Sequence, residues 1–357
     1  MTDTMSGVGA PMTRQQTARW LQTYDRYLLL CHAHPDGDTL GSAMGLRNLL
    51  RHMGKTAHVI CASPVPYRLS FITEERQSIL LEQIPGGYLW DKIISVDVAS
   101  PSLLGAYAVP FGEAGHVDLA IDHHGTHTPF AKALCLDGVL AACAELVFDL
   151  GQEIFGWNDT DRIMPADIAV PLYAGLNTDS GSFKYGAVTP ETHHRAAAML
   201  ASMRAAGIEH AKIAERLYGS RPLSQVMAAK AAYENLRFFC DNRVSLVTFT
   251  PETMKKYKLA DEDIDDIVNL IRGIQGVRVA VHIKPRGEGV YKLSLRCEQG
   301  FNVAQIAGQF GGGGHPCAAG CTIEDTAENV EAAIVSAIGA ALDAADAASG
   351  EPAEAQA

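Results

Sequence analysis

The chain has no excess of positive charge: 29 Lys and Arg stand against 41 Asp and Glu, a formal net charge of −12. A surface for long nucleic acid must neutralise a row of phosphates, so this balance argues against one. Any phosphorylated substrate must be gripped by a few local cations. There is no run of about 18 or more uncharged apolar residues, so no membrane-spanning helix is expected. Residues 1–13 lack both a basic leader and an apolar core, so a cytoplasmic location is expected. The eight cysteines (Cys31, Cys61, Cys135, Cys143, Cys240, Cys297, Cys317, Cys321) form no C-x-x-C pair, which disfavours a zinc ribbon and reads as reduced, mostly buried thiols.

What is present is globular: 357 residues, 47% hydrophobic and 20% charged, enough for about two domains. Short β-rich runs alternate with helical patterns, the signature of a parallel sheet flanked by helices. Strands are expected at 27–31, 57–61, 93–96 and 117–121. A helix after Asp38 repeats Leu46, Leu49, Leu50 and Met53 at i, i+3, i+4 and i+7, another gathers Leu140, Cys143, Leu146, Val147 and Leu150, and a third opens at Thr189-Pro190. Residues 209–240 read as a helical connector broken at Gly219-Ser220-Arg221-Pro222. A smaller α/β domain follows, with strands at 244–249, 277–283 and 291–295, a helix near 264–271 and a hairpin loop at 285–289. The expected division is a flexible 1–13, a larger domain 14–208, the connector 209–240, the smaller domain 241–343 and a flexible tail 344–357.

The densest chemical signal follows the first long strand, where His32, His34, Asp36 and Asp38 stand at every second position of Cys31-His32-Ala33-His34-Pro35-Asp36-Gly37-Asp38. Open parallel sheets bind ligands beyond the carboxyl ends of their strands, so Asp97, Asp122-His123-His124 and Asp179 join the candidate set. Crowded carboxylates repel and take up protons unless divalent cations neutralise them. Mixed carboxylate and imidazole donors suit Mn²⁺ best, with Mg²⁺, Co²⁺ or Fe²⁺ as substitutes. Two such ions sharing a carboxylate are the arrangement used for phosphoester cleavage. Near the carboxyl end, Gly311-Gly312-Gly313-Gly314 can bring backbone N–H groups close to an anion, with His315 and the strand residue Arg296 as local cations.

His-x-His-Pro-Asp-Gly-Asp, an isolated Asp after a strand, Asp122-His123-His124 and Thr178-Asp179-Ser180-Gly181 resemble, in order and spacing, the four motifs of the DHH phosphoesterases. Ser294-Leu295-Arg296 with Gly311 to Gly320 resembles the DHH-associated C-terminal domain, and the pair is similar to the nanoRNase/pAp phosphatase group. The resemblance implies that His32 and Asp36 hold one Mn²⁺, that Asp38, His123 and Asp179 hold a second, and that Asp97 bridges them. It further implies that His124 faces the scissile phosphate, that Asp122 orients its neighbours, and that Arg296, Gly312, Gly313, Gly314 and His315 grip substrate across an interdomain cleft. Short RNA oligomers, linear dinucleotides and adenosine 3′,5′-bisphosphate are the implied substrates; the family also allows a homodimer. His34 is read as a donor behind the ligands or a hydrogen-bonded structural histidine, His127 as an outer donor or a loop residue, and Lys184 and Tyr185 as an exposed loop pair or residues that touch substrate after the fourth motif.

Rival readings are a DHH-type pyrophosphatase, disfavoured by the glycine-rich element, and an inert nucleotide-binding regulator, disfavoured because no member of the ligand set is missing. A single-strand exonuclease of the RecJ type is disfavoured because no additional nucleic-acid-binding domain fits the available length.

Overall fold

The computed structural model describes residues 8–76, 78–157, 162–219 and 221–349, and the chain divides into two compact units, Met1–Ser220 and Arg221–Ala357. The expected connector therefore splits, 209–220 belonging to the first unit and 221–240 to the second.

The first unit is built on six parallel strands: β1 (Ala10–Pro11), β2 (Tyr27–Leu30), β3 (Ala57–Ile60), β4 (Lys92–Val96), β5 (Leu119–Asp122) and β6 (Ala133–Leu136). Strands β2 and β5 are buried along their whole length, as expected where helices cover both faces of a parallel sheet. In space the order is β1-β6-β5-β4-β2-β3. The chain thus leaves β2 toward β3 and returns past β2 to β4. The reversal opens a crevice at the carboxyl ends of β2 and β4, the place where open α/β sheets bind ligands.

The helices of this unit are α1 (Arg14–Thr23), α2 (Gly37–His52), α3 (Ala108–Phe111), α4 (Cys143–Phe155), α5 (Ala166–Asp179), α6 (Pro190–Ala205) and α7 (His210–Ala214). Helix α6 starts where Thr189-Pro190 predicts, with the Thr189 hydroxyl accepting from the Thr192 N–H. Helices α2 and α5 run closer than side chains would allow. A Cβ on Gly41 would lie 2.3 Å from the Pro171 carbonyl oxygen, and one on Gly175 would lie 2.9 Å from Asp38 Oδ1. Glycine at both places brings the start of α2 against the end of α5, and with it Asp38 beside Asp179.

The second unit contains α8 (Leu223–Glu234), β7 (Arg237–Phe239), β8 (Val244–Thr248), α9 (Pro251–Tyr257), α10 (Ile267–Arg272), β9 (Val279–Gly287), β10 (Val290–Cys297), α11 (Val303–Gln309), β11 (Gly313–His315), β12 (Ala318–Glu324) and α12 (Ala327–Ser349). Its sheet runs β11-β12-β10-β9-β8-β7, antiparallel except for β8 with β9. Alternation along the strands feeds two cores. Val279 and Val281 pack with α11 and α12, while Ala280 faces α8 and α10.

Several expectations are corrected. Ala10 and Pro11, read as part of a flexible end, pair with Ala133 and Leu134 and close one edge of the first sheet. The strand β7 lies inside the stretch read as wholly helical, because Phe238 and Phe239 find partners on β8. The expected loop 285–289 shrinks to two residues between β9 and β10. The tail expected to be flexible from 344 continues α12 to Ser349: Val330, Ile334, Ile338 and Leu342 form a buried stripe, and Asp346 accepts from Arg278 at 2.5 Å and pairs with Arg243. Residues 350–357 lie outside the described residues. Among the described residues no helix is long and apolar enough to cross a membrane.

Candidate metal centre

The acidic and histidine side chains at the crevice are held by the same backbone that forms the helices. Asp36 is the N-cap of α2; its Oδ1 accepts from the N–H groups of Asp38 at 2.9 Å and Thr39 at 3.0 Å. Asp38, in the first turn, is fully buried. Its Oδ1 accepts from the Ser42 hydroxyl and the Ala144 N–H, both at 3.0 Å, and its Oδ2 from the Cys143 N–H at 2.6 Å. Helix α4 has Ala142 at its own cap position and no side-chain cap there. Asp38 satisfies those orphan donors from another helix. Thr39 ties the two sides of the crevice together, donating to the Val96 carbonyl at 2.9 Å and accepting from the His32 N–H at 3.3 Å.

Asp97 follows β4 with φ of 59°, a left-handed conformation that aspartate tolerates better than most residues. His123 donates through Nδ1 to the Leu140 carbonyl at 3.1 Å, since a carbonyl can only accept. The Nε2 lone pair is thereby aimed at Asp38 Oδ2, Asp97 Oδ1 and Asp179 Oδ2, at 3.7, 3.5 and 3.3 Å. A partner on one ring nitrogen that frees the other is the usual support of a metal-binding histidine. On the opposite side His32 Nε2 lies 3.6 Å from Asp36 Oδ1 and 3.9 Å from Asp97 Oδ2.

Potential ligand atoms of His32, Asp36 and Asp97 fall within 4.8 Å of one another, as do those of Asp38, His123 and Asp179, and those of Asp97, His123 and His124. Asp97 is common to two sites that otherwise share no residue. Burial pushes its carboxyl well above the ordinary range, and Asp38, Asp36, Asp122 and Asp179 add to the shift. Burial and Asp38 push Asp179 up to about 7. Asp97 Oδ1 is buried and has no hydrogen-bond donor among the described residues. An orphaned carboxylate oxygen among carboxylates is costly unless a cation meets it, so this donor set fits divalent metal.

Asp122 anchors a second line of contacts. Its Oδ1 accepts from His124 Nδ1 at 2.7 Å and from the His123 N–H at 2.8 Å, and its Oδ2 accepts from His127 Nδ1 at 2.6 Å. Burial opposes its ionisation, but the bonds from His124 and His127 hold it below the usual carboxylate range. The Asp122 bond raises the pKa of His124. With Nδ1 taken by Asp122, Nε2 is the nitrogen of His124 left for other chemistry.

The structure therefore brings His32, Asp36, Asp38, Asp97, His123 and Asp179 together, with His124 and Asp122 beside them. His34 is exposed and stands apart from these ligand groups. His127 was undervalued by the sequence: it is buried against Phe130 and bonded to Asp122. Its spacing from His124 was visible, but nothing local predicted its burial. Tyr185, which is exposed, lays its ring over Gly181, two residues past Asp179.

In the second unit, Arg296 pairs with Ala318, and Ala318 pairs with His315, so the three Cα atoms form one cross-strand row. The end of the glycine run, Gly313 and Gly314, enters an edge strand, β11. A Cβ at Gly312 would lie 2.2 Å from the Gly320 carbonyl oxygen, and one at Gly314 would lie 2.5 Å from that of Ala318. Gly313 meets no such obstacle. Arg296 Nη1 donates to its own Leu295 carbonyl at 3.0 Å. The side chain of His315 lies outside the described residues.

Residues 26–176 match the DHH family N-terminal domain, and residues 245–344 match the DHHA1 domain. The bifunctional oligoribonuclease and PAP phosphatase NrnA of Thermus thermophilus is 34% identical over 298 residues, 82% of this chain and 82% of its own length. Its Bacillus subtilis counterpart is 23% identical over 314 residues, 87% of this chain and 93% of its own. The crystal structure of an exopolyphosphatase-related protein from Bacteroides fragilis shares the fold, with a TM-score of 0.79 at 22% identity over 95% of this chain and 97% of that one.

Proposed function

The chain belongs to the NrnA-like DHH phosphoesterases, and from that membership we propose that it hydrolyses short RNA oligonucleotides and linear dinucleotides to mononucleotides and removes the 3′-phosphate of adenosine 3′,5′-bisphosphate. The observation that carries the reading is Asp97, a buried carboxylate with one unpartnered oxygen that belongs to the His32–Asp36 group and lies 3.5 Å from Nε2 of His123, itself a member of the Asp38–His123–Asp179 group. His32 and Asp36 would hold one divalent ion and Asp38, His123 and Asp179 another, with Asp97 shared; Mn²⁺ best suits such mixed donors, and Mg²⁺, Co²⁺ or Fe²⁺ can replace it. When bound, two such ions supply charge neutralisation at the phosphoryl oxygens and acidify water.

The chain's own residues supply proton transfer and grip. Because Asp122 accepts from Nδ1 and stabilises the imidazolium, His124 retains a proton on Nε2 for the leaving ribose oxygen or for hydrolysis of the 3′-phosphate. His127 keeps Asp122 oriented by bonding its other oxygen. Arg296 and His315, in one cross-strand row on either side of β12, would bind a further phosphate of the nucleotide, with Gly312, Gly313 and Gly314 keeping the backbone close.

The test is hydrolysis of adenosine 3′,5′-bisphosphate and a short RNA by the purified full chain, stripped of metal and then reloaded with Mn²⁺. Metal-dependent release of phosphate and of mononucleotides is expected. Turnover of pyrophosphate alone would point to a pyrophosphatase, and nucleotide binding without turnover to a regulator.

A further inference from the structure

The first unit holds a second concentration of charge, of opposite sign to the metal centre. A cavity of about 230 Å³ is lined by Arg47, Arg51, His58 and Arg76, together with Thr73 and Gln83, and no acidic side chain lines it among the described residues. Arg47 and Arg51 stand nine and thirteen residues beyond Asp38 on α2. At 1.5 Å per residue that is about 14 and 20 Å along the helix. His58 lies near the amino end of β3, whereas the metal residues gather at strand carboxyl ends.

Arg51, in the last turn of α2, has a simple explanation, since a helix carboxyl end favours a cation. Arg47 and Arg76 do not. Arg47 is only 8% exposed, and Arg76 reaches the cavity from a different segment, past the 3-10 turn Tyr67–Thr73. Glu74 is the one carboxylate paired with any of the three guanidinium groups among the described residues, 2.7 Å from Arg47 and 4.0 Å from Arg76. Glu74 and the next residue, Glu75, both hold left-handed φ, 58° and 62°, a strained backbone that aims Glu74 at Arg47 and Glu75 at Arg216. The field left inside is positive. Burial lowers the pKa of His58, and Arg51, Arg47 and Arg76 all push it the same way.

We propose that this cavity is a second, non-catalytic anion site that takes the phosphate group of a small phosphorylated metabolite, gripped by Arg47, Arg51 and Arg76. Guanidinium groups fork onto phosphate oxygens, and an incoming dianion supplies the charge that Glu74 alone does not. The concave shape favours a compact ligand. A long strand would require an extended basic stripe, and the chain's net charge of −12 opposes one. The site is remote from the metal centre, so its occupation bears on binding or control and not on the hydrolytic step.

The experiment follows the His58 imidazole by NMR in the Mg²⁺-loaded full chain while inorganic phosphate, AMP and a long single-stranded RNA are added in separate titrations. Phosphate or AMP at millimolar concentration is expected to shift the His58 signal saturably and to raise the pH at which it titrates. A response to phosphate alone identifies a bare phosphate site, and a response requiring AMP identifies a nucleotide site; either supports the proposal. The Arg51→Gln/Arg76→Gln double variant should bind the same anion about tenfold or more weakly, with hydrolysis of bis-p-nitrophenyl phosphate unchanged. The proposal is overturned if neither small anion moves His58, if the double variant binds as well as the parent, or if only the RNA produces the shift.

Discussion

The two units use their motif residues in different ways. In the first, the residues that carry charge also carry the fold: Asp36 caps α2, Asp38 caps α4, and Asp122 gathers two imidazoles and two backbone N–H groups. In the second, two members of the glycine run are accounted for by packing alone, because neighbouring carbonyl oxygens occupy the space a Cβ would need at Gly312 and Gly314. Clustered buried carboxylates have no comparable packing explanation, since burying like charges is unfavourable without a cation. A polar motif is therefore the stronger evidence for chemistry, and a glycine motif needs support from the residues around it.

The largest effect should come from Asp97. Asp97→Asn should lower hydrolysis by about 10⁴-fold or more, the scale of several kcal/mol of lost charge stabilisation, and metal analysis should show weaker binding of both ions. In the metal-free chain the same change should raise Tm near neutral pH, because Asn spares the cost of protonating a carboxyl buried among carboxylates. Normal turnover with two tightly bound ions would sink the shared role of this carboxylate.

Stripping the metal also makes a pH prediction. The raised carboxyls of Asp97 and Asp179 contribute stability below their unfolded value near 3.8, and this is lost as pH climbs through about 7 for Asp179 and higher for Asp97. The chelated chain should therefore lose stability to thermal unfolding between about pH 4 and pH 7. Loading with Mg²⁺ should remove that slope; an unchanged slope would separate the shifts from metal binding.

Next in size is His124→Ala, expected to lower kcat by about 10²–10⁴-fold with metal content intact. Loss of one ion instead would exchange the roles of His123 and His124. Arg296→Ala should weaken nucleotide binding by roughly 1.5–3 kcal/mol, about 10–150-fold, while bis-p-nitrophenyl phosphate hydrolysis suffers less. Equal losses on both substrates would reduce the second unit to a structural support.

The smallest effects test the glycine comparison itself. Gly312→Ala should destabilise by about 1–3 kcal/mol through overpacking, whereas Gly313→Ala should change stability by no more than about 0.5 kcal/mol. If Gly313→Ala nevertheless raises KM for nucleotides, the open glycine serves ligand approach and not packing.

Much of this molecule was legible before its structure. Strands β2 to β5 fall where apolar runs predict them, and helix α6 starts at its predicted cap, because hydrophobic period and capping are settled within a few residues. The candidate ligands were legible too, since carboxylate and imidazole at strand ends are uncommon without a purpose. Strand β6 and helix α5 were missed: β6 is Ala133-Leu134-Cys135-Leu136, without a β-branched or aromatic residue, and α5 carries Pro171 inside it, a poor helix signal.

What the sequence determined by itself was the chemistry available, namely which side chains could hold a cation, donate a proton or cap the helix they begin. Only the tertiary structure decided which of them meet. Asp38 finds the N–H of Cys143 across 105 residues, His127 turns inward to Asp122, and the end of the glycine run enters an edge strand. These contacts depend on strand order and on the close approach of α2 to α5, and local periodicity carries no information about either.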